Sequence, residues 1–284
     1  ENEWCGAESR AAGQDRDIPE VIRKKERNYM QIHQIIFSPT GGTRRVSDIL
    51  CKGMQSTDKD SVVTDLCVKA ADIQLPDIHE DDLAVIAMPV FAGRVPALAV
   101  ERLRMINPHG AKCAVIAVYG NRAYDDALLE LQDVATEMGF RVIAAVGAVA
   151  EHSIIRRYGK GRPDAADEQI LRGYGADILN KAEGDDYATP QVPGNRPYKK
   201  AGMVPQPKGR RGCNRCGACA RQCPAGAIPL SDPKKVDAAK CISCMKCVAI
   251  CPTGTRRIGV VMNFLATQGL KKVCATRKEN ELYL

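Results

Sequence analysis

The stretch QIHQIIFSPTGGTRRVSDILCKGM (31–54) contains the first complete structural unit of the chain. Its apolar run, Gln31–Phe37, predicts a buried strand that stops at a turn rich in hydroxyl groups and glycine. Arg44–Met54 then carries apolar residues at helical spacing, so the turn leads directly into a helix. A strand, a short loop and a helix in this order predict the start of an alternating α/β sheet.

The same alternation continues to about residue 183. Further apolar runs predict four more strands, at Val62–Val68, Leu83–Ala87, Ala114–Val118 and Val142–Val149. Helical patterns lie between or after them, at Ala97–Met105, Asp125–Met138 and Ala165–Glu183. Strands that are separated by helices pair in parallel, because the crossover helix returns the chain to the same edge of the sheet. We therefore expect a doubly wound, five-stranded parallel sheet with the flavodoxin-like strand order 2-1-3-4-5.

Ligands of such sheets bind at the carboxyl ends of the strands, which draws attention to three loops. The first loop, 38–43, offers hydroxyl groups and glycine amides at a helix N-terminus, where a phosphate can bind; the alternative is a plain turn with a helix cap. It matches neither dinucleotide nor triphosphate motifs, so a terminal monophosphate such as that of FMN fits better. The loops 89–96 and 119–125 could flank a flat ring, with Tyr119 or Tyr124 stacked on it. His152, after the fifth strand, is interpreted as a histidine of a surface loop.

Eight of the thirteen cysteines form two copies of the pattern C-x2-C-x2-C-x3-C-P. This is the bacterial iron–sulfur pattern, in which the last cysteine of each copy binds the other cluster. We therefore predict one [4Fe-4S] cluster on Cys213, Cys216, Cys219 and Cys251, and a second on Cys241, Cys244, Cys247 and Cys223. Zinc is the alternative metal, but it favours separated pairs of ligands. A purely structural role is the alternative function, although one cluster would suffice for it; two adjacent clusters favour electron relay. The expected apolar shell consists of Ile228, Val236, Ile242, Ile250 and Ile258.

These motifs carry three resemblances. Residues 210–258 resemble the two-cluster bacterial ferredoxins, and residues 31–183 resemble a flavodoxin domain whose phosphate loop is SPTGGT, with Gly42 where many flavodoxins have Asn. The whole chain, from about Met30 to Leu282, resembles the family of ferredoxins with an N-terminal flavodoxin domain, which typically has the phrases PVFAGRVP (89–96), YGNRAYDDAL (119–128) and EHS (151–153). This resemblance implies that FMN contacts Ser38, Thr40, Gly41, Gly42, Thr43, Pro89, Phe91, Gly93, Gly120, Asn121 and Tyr124.

The expected organisation has five parts. Residues 1–29 are expected to be a disordered extension before the flavodoxin-like domain (30–184), and 185–209 a proline-rich linker to the ferredoxin domain (210–258), with 259–284 as a C-terminal tail. The net charge also differs between the two halves of the chain. From Gly194 onward there are 18 Lys and Arg against 4 Asp and Glu, whereas the preceding 193 residues have a net charge of −7. An acidic half and a basic half are typical of redox docking.

The composition and motifs narrow the function further. No apolar stretch is long enough to span a membrane and nothing reads as a secretory signal, so we expect a cytoplasmic protein. Few stacking aromatics accompany the basic residues, which disfavours nucleic-acid binding. We expect an electron-transfer protein with two [4Fe-4S] clusters and FMN, which exchanges electrons with redox partner proteins; no residue is assigned a catalytic role. A flavin-dependent reductase of a small molecule is the alternative.

Overall fold

The computed structural model describes residues 30–54, 61–185, 187–202 and 205–284, so the expected N-terminal extension (1–29) lies outside the described residues. The alternating pattern folds into a sheet with the order β2-β1-β3-β4-β5-β8. Its strands are β1 (Ile32–Ile36), β2 (Val62–Asp65), β3 (Leu83–Pro89), β4 (Lys112–Tyr119), β5 (Arg141–Val149) and β8 (Glu281–Tyr283). The first five pair in parallel in the expected order 2-1-3-4-5.

The sheet has one strand more than the five that the sequence predicts. β8 pairs antiparallel with β5, so the last residues of the chain complete the α/β half instead of forming a tail beyond the ferredoxin half. Asn280 fixes the entry to β8, because its side-chain oxygen accepts from the backbone N–H of Val149 at 2.9 Å and its amide donates to Asp167 at 2.9 Å. A three-residue strand carries no periodicity that sequence patterns can detect.

Helices cover both faces of the sheet. They are α1 (Gly42–Met54), α2 (Ala97–Leu103), α3 (Ala127–Met138) and α4 (Ala165–Glu183), close to the predicted bounds. Residues of α2 and α3 share one hydrophobic core with the sheet, while α1 and α4 pack against each other. Every residue of β3 is buried, as expected of a central strand covered on both faces.

The cysteine-rich half forms small elements on the same compact unit, which extends from Gln31 to Leu284. They are β6 (Lys208–Gly209), α5 (Ala218–Arg221), α6 (Lys246–Ala249), β7 (Arg256–Arg257) and α7 (Val260–Leu270), with β6 and β7 paired antiparallel. Within the described residues, none of the helices combines the length and the apolar composition that crossing a membrane requires.

The segment between the two halves lies along α3. Backbone N–H groups of Asn195 and Lys199 donate to Asp126 at 2.9 and 2.7 Å, and Arg196 pairs with Asp133. Residues 195–199 of the expected proline-rich linker are thus held on the α/β half by side chains at and along one helix.

Two cations attach the cysteine-rich half to the sheet. Buried Arg102, from α2, donates to the carbonyls of Val68 and Pro224 at 2.6 and 2.7 Å, and also to that of Leu66. Lys246, from α6, donates to the carbonyl of Cys67 at 2.7 Å. Each half therefore contributes one cation. Lys246 binds a carbonyl group that follows β2, and Arg102 binds carbonyl groups that follow β2 and the first cysteine run.

The close contact between α1 and α4 predicts opposite changes in the free energy of unfolding for alanine substitutions at two neighbouring glycines of α4. A Cβ on Gly175 would lie 2.1 Å from the carbonyl oxygen of Leu50, whereas a Cβ on Gly173, in the same helix, would meet nothing within 4 Å. We expect Gly175→Ala to lower the free energy of unfolding by about 1–3 kcal/mol and Gly173→Ala to raise it by about 0.5–1 kcal/mol. Urea unfolding of the holoprotein measures both. Effects of the same sign would contradict the close approach of these helices.

The hydrogen bonds of Arg102 to buried carbonyl oxygens give a second prediction. Arg102→Gln leaves buried carbonyl oxygens without their donor, so we expect a loss of about 1–3 kcal/mol in unfolding free energy. Arg104→Gln is the matched control, because Arg104 is on the surface and pairs with exposed Glu137, and it should change stability by less than about 0.5 kcal/mol. Equal effects of the two variants in urea unfolding would show that the hydrogen bonds of Arg102 do not stabilise the attachment of the cysteine-rich half.

Candidate cluster and flavin sites

The two cysteine runs adopt the same local backbone. The residue two positions after each first cysteine has positive φ, 58° at Arg215 and 54° at Ser243, and so does the residue two positions further, 76° at Gly217 and 63° at Met245. Each run then enters a one-turn helix that begins one residue before its third cysteine. Left-handed residues at these four positions wrap the chain tightly. The repeat in sequence is therefore a repeat in conformation.

Each run contributes three cysteines to one cavity and its last cysteine to the other. The outer cavity has an empty volume of about 320 Å³ and its lining includes Cys213, Cys216, Cys219 and Cys251. The inner cavity has an empty volume of about 350 Å³ and its lining includes Cys223, Cys241, Cys244 and Cys247. These are the two ligand sets expected from the spacing, and the fold brings each set together.

The donor set and its spacing fit a cluster better than a single ion. No group of three or more His, Cys, Asp or Glu in the described part of the chain is placed to hold one metal ion. Four thiols spread around a cavity suit the larger [4Fe-4S] unit, whose corners are separate iron atoms. The residues present therefore fit the cluster that the motif implies.

The two cavities differ in polarity. Apolar side chains of Ile228, Val236 and Ile242 line the inner cavity, as expected, whereas Ile250 and Ile258 line neither cavity. Asn214, Thr253 and Thr255 line the outer cavity, where Cys216 is exposed. A cluster bound in either cavity would therefore have a shell of different polarity, which is one of the factors that tune a reduction potential.

One thiol of each set has a strongly shifted pKa, and the two shifts have opposite directions. Burial raises the pKa of Cys244, in the inner set, to about 12. At Cys251, in the outer set, burial works in the same direction, but hydrogen bonds with Thr253, Thr255 and the backbone outweigh it and lower the pKa to about 7. Burial also raises the pKa of Cys219 in the outer set, so thiol acidity does not divide simply between the two sets.

A third cavity lies at the carboxyl ends of the strands, with an empty volume of about 460 Å³. We name it the flavin cavity, because residues expected to bind FMN line it. The expected FMN contacts that line it are Thr40, Gly42, Thr43, Pro89, Phe91 and Gly120. Gly93 lines a larger cavity that adjoins it through shared walls at Phe91, Gly120 and His152. Three separate loops thus converge as the parallel sheet requires.

Four of the expected FMN contacts do not line either of these cavities. The hydroxyl of Ser38 accepts from the backbone N–H of Arg44 at 2.9 Å, so it supports the start of α1, and Gly41 is exposed with φ 91°. Asn121 binds the C-terminal segment: its amide donates to the carbonyl of Thr276 at 2.9 Å and its oxygen accepts from the N–H of Lys278 at 3.0 Å.

Tyr124 is also engaged by the C-terminal segment. Its hydroxyl bonds to Glu281 and lies 2.9 Å from that of Tyr283, while its ring lies against Gly147 and edge-on to Tyr119. Tyr119, the other candidate for stacking, lines the flavin cavity. The C-terminal residues that hold Asn121 and Tyr124 are more than 150 positions away in sequence, so their presence here is a tertiary effect.

The structure adds His152 to the cavity wall. Its Nδ1 accepts from the backbone N–H groups of Ile154 and Ile155 at 3.1 and 3.2 Å, so the ring proton lies on Nε2. Burial lowers the pKa of His152, which keeps the ring neutral. Nε2–H is therefore a fixed donor at the wall shared by the flavin cavity and the larger cavity. Its place after the fifth strand was the signal in the sequence.

The most consequential lining residue belongs to the other half. Cys244 lines the inner cluster cavity and also the flavin cavity, although it lies some 200 positions along the chain from the phosphate loop. No feature of the local sequence indicates this second contact. It results from the attachment of the second cysteine run beside the ends of β1 and β2.

Comparisons with known proteins agree with this division. Residues 212–255 match the family described as the 4Fe-4S dicluster domain. The chain is 47% identical over 49 residues to AegA of Escherichia coli strain K12, described as a putative oxidoreductase, and 48% identical over 42 residues to one component of an ion-translocating oxidoreductase complex of Methanosarcina acetivorans. These matches cover 16% and 14% of this chain, and only 7% and 16% of the respective relatives.

Solved structures similar to the α/β half include flavodoxins. An archaeal flavodoxin is 19% identical with a TM-score of 0.41, covering 55% of this chain and all of that one; the flavodoxin of Megasphaera elsdenii is 13% identical with a TM-score of 0.36, covering 52% and 99%. The strand order 2-1-3-4-5 itself is flavodoxin-like. The chain thus combines an α/β domain of flavodoxin-like strand order with residues 212–255 that match the 4Fe-4S dicluster domain.

Proposed function

We propose that the protein is an electron-transfer flavoprotein that relays single electrons between two [4Fe-4S] clusters and an FMN. The dicluster domain supports iron–sulfur electron transfer in general. The finer assignment rests on the two cysteine sets that line the inner and outer cavities. When bound, the clusters would supply one-electron chemistry and the flavin one- or two-electron chemistry.

The observation that carries this proposal is the position of Cys244. One side chain borders both the inner cluster cavity and the flavin cavity, so the two cofactors would be neighbours with only protein side chains between them. The tight attachment by Arg102 and Lys246 keeps that proximity independent of a flexible tether. Electrons would enter at the outer set, where Cys216 is exposed, and reach the flavin by way of the inner set.

The flavin cavity has the parts that FMN requires. Thr40, Gly42 and Thr43 stand at the N-terminus of a 13-residue helix, where backbone amides and the helix dipole favour a phosphate. Phe91 and Tyr119 come from two different loops and supply aromatic surface for a flat ring. Gly120 permits close approach of loops, because a Cβ there would lie 2.7 Å from His152.

Redox proteins with an acidic face are the proposed partners. The excess of basic residues after Gly194 gives the cluster half a positive field, and association of oppositely charged surfaces is fast and reversible at physiological salt. Cluster-adjacent cations such as Arg215 and Arg221 belong to this field. The electron donor would dock on one half of the protein and the electron acceptor on the other.

The relay is tested with two cysteine variants of the full chain, assembled anaerobically. We expect the wild-type protein to hold about eight iron and one FMN per chain, and Cys244→Ser and Cys216→Ser each to lose about four iron while keeping the flavin. Flavin reduction by reduced methyl viologen should slow at least tenfold in Cys244→Ser and less in Cys216→Ser, because only the former removes the cluster next to the flavin. Stopped-flow absorbance measures these rates.

Cys274→Ser serves as the control, since Cys274 lies outside both cysteine sets. Its iron content and rates should equal those of the wild type. Wild-type protein that binds iron without flavin would exclude the relay, and so would an unchanged rate of flavin reduction after loss of the inner cluster.

A second function, reduction of a small anionic molecule at the flavin, is favoured by the larger cavity. Its empty volume is about 1320 Å³ and it shares Phe91 and His152 with the flavin cavity. Ile154 and Leu270 supply apolar wall, and exposed Lys200 adds an ammonium group. A carboxylate-bearing acceptor with an apolar body fits this lining, with the Nε2–H of His152 as a hydrogen-bond donor to it.

A cavity-filling variant separates the two functions. Ile154 lines the larger cavity but not the flavin cavity, so Ile154→Trp should leave FMN and iron content unchanged. If the protein is a reductase, turnover of a panel of small carboxylate acceptors by the viologen-reduced wild-type enzyme should fall at least tenfold in this variant. A carrier consumes none of the panel in either form, and unchanged turnover in Ile154→Trp would exclude this cavity as the substrate site.

A further inference from the structure

A buried arginine lies between the two cluster cavities. Arg256, in β7, is 2% exposed and lines both the inner and the outer cavity. Its Nη1 lies 4.0 Å from the sulfur of Cys219 in the outer set, and its side chain borders the inner cavity together with Cys247. One cation therefore lies beside the cysteines of both sites.

The hydrogen bonds of Arg256 within the protein leave its charge uncompensated. Nη1 donates to the carbonyl of Pro233 at 2.6 Å and Nη2 to that of Lys235 at 3.3 Å, while Nε is buried without a partner. No carboxylate in the described residues forms an ion pair with it. A buried guanidinium stays protonated, and burying an unpaired charge is unfavourable unless an opposite charge lies nearby.

The buried charge is not needed for the strand pairing around it. The neighbouring Arg257 belongs to the same two-residue strand, pairs with Lys208 through the backbone, and points its side chain to solvent. Side chains alternate between faces along a strand, so the fold exposes one arginine and buries the next. The inward position is the one that meets both cysteine sets.

We infer that Arg256 is the shared counter-charge of the two clusters and raises the reduction potential of both; this rests on the proposed cluster assignment. Each oxidised cluster with four thiolates carries a charge of about −2, and reduction adds one more negative charge to it. A fixed cation between the two sites stabilises the reduced form of each and screens their mutual repulsion. Arg256 is in this sense a tuning residue, and it borders the cavities of both sites at once.

The test compares Arg256→Gln, which removes the charge, with Arg256→Lys, which retains it, and with Arg257→Gln, which removes an exposed charge one residue away. Midpoint potentials of both clusters are measured by redox titration followed by electron paramagnetic resonance. We expect Arg256→Gln to lower each midpoint potential by at least about 59 mV, which corresponds to a tenfold change in the one-electron equilibrium constant. Arg256→Lys should recover most of this shift, and Arg257→Gln should match the wild type.

The remaining outcomes are also decisive. Wild-type protein without about eight iron per chain would refute the cluster assignment itself. Fully loaded Arg256→Gln with unchanged potentials would leave that assignment intact and overturn the role of Arg256, as would a shift confined to one cluster. If Arg256→Gln does not assemble, iron content decides: retention in Arg256→Lys supports the need for charge, and equal loss in both variants overturns the counter-charge role, because only the arginine geometry would then matter.

Discussion

The arrangement depends on the polar attachment of the second cysteine run to the end of β2. Carbonyl oxygens that follow a parallel strand lack a strand partner, and burying them without donors is costly. Arg102 and Lys246 donate to these oxygens from opposite halves of the molecule. Arg102 also binds the carbonyl of Pro224, and both Pro224 and Lys246 adjoin cysteines of the inner set. The same bonds that satisfy the backbone therefore locate the inner site beside the flavin cavity.

From that attachment follows a gradient across the cysteine-rich half. The inner cavity is apolar and buried, whereas the outer cavity is lined by Asn214 and threonine hydroxyls and leaves Cys216 exposed. Arg256 lies where the two environments meet. Under the proposed function, the outer cluster would exchange electrons with partner proteins at the exposed surface, and the inner cluster would lie in a dry cavity beside the flavin. The buried cation between the clusters would reduce their electrostatic repulsion.

Prediction from sequence succeeded where one short stretch contains the whole signal. The strand–loop–helix alternation is visible in windows of ten to twenty residues, and the strand order 2-1-3-4-5 was confirmed. It could not show which distant residues bind a given side chain. Asn121 and Tyr124 lie in the expected loop and stay predicted FMN contacts, while Thr276, Lys278 and Glu281 bind them, because β8 brings the C-terminal segment to that edge of the sheet.

The sequence by itself determined the α/β topology, the two cysteine sets and the division of charge, because each is encoded by local spacing or simple composition. Only the tertiary structure decided that Cys244 faces two cavities and that Arg256 lies between the two cluster cavities. The physical reason is that these contacts join segments far apart in the chain, and burial of backbone carbonyls and charge selects which segments meet. Neither condition leaves a periodic trace in the residues that satisfy it.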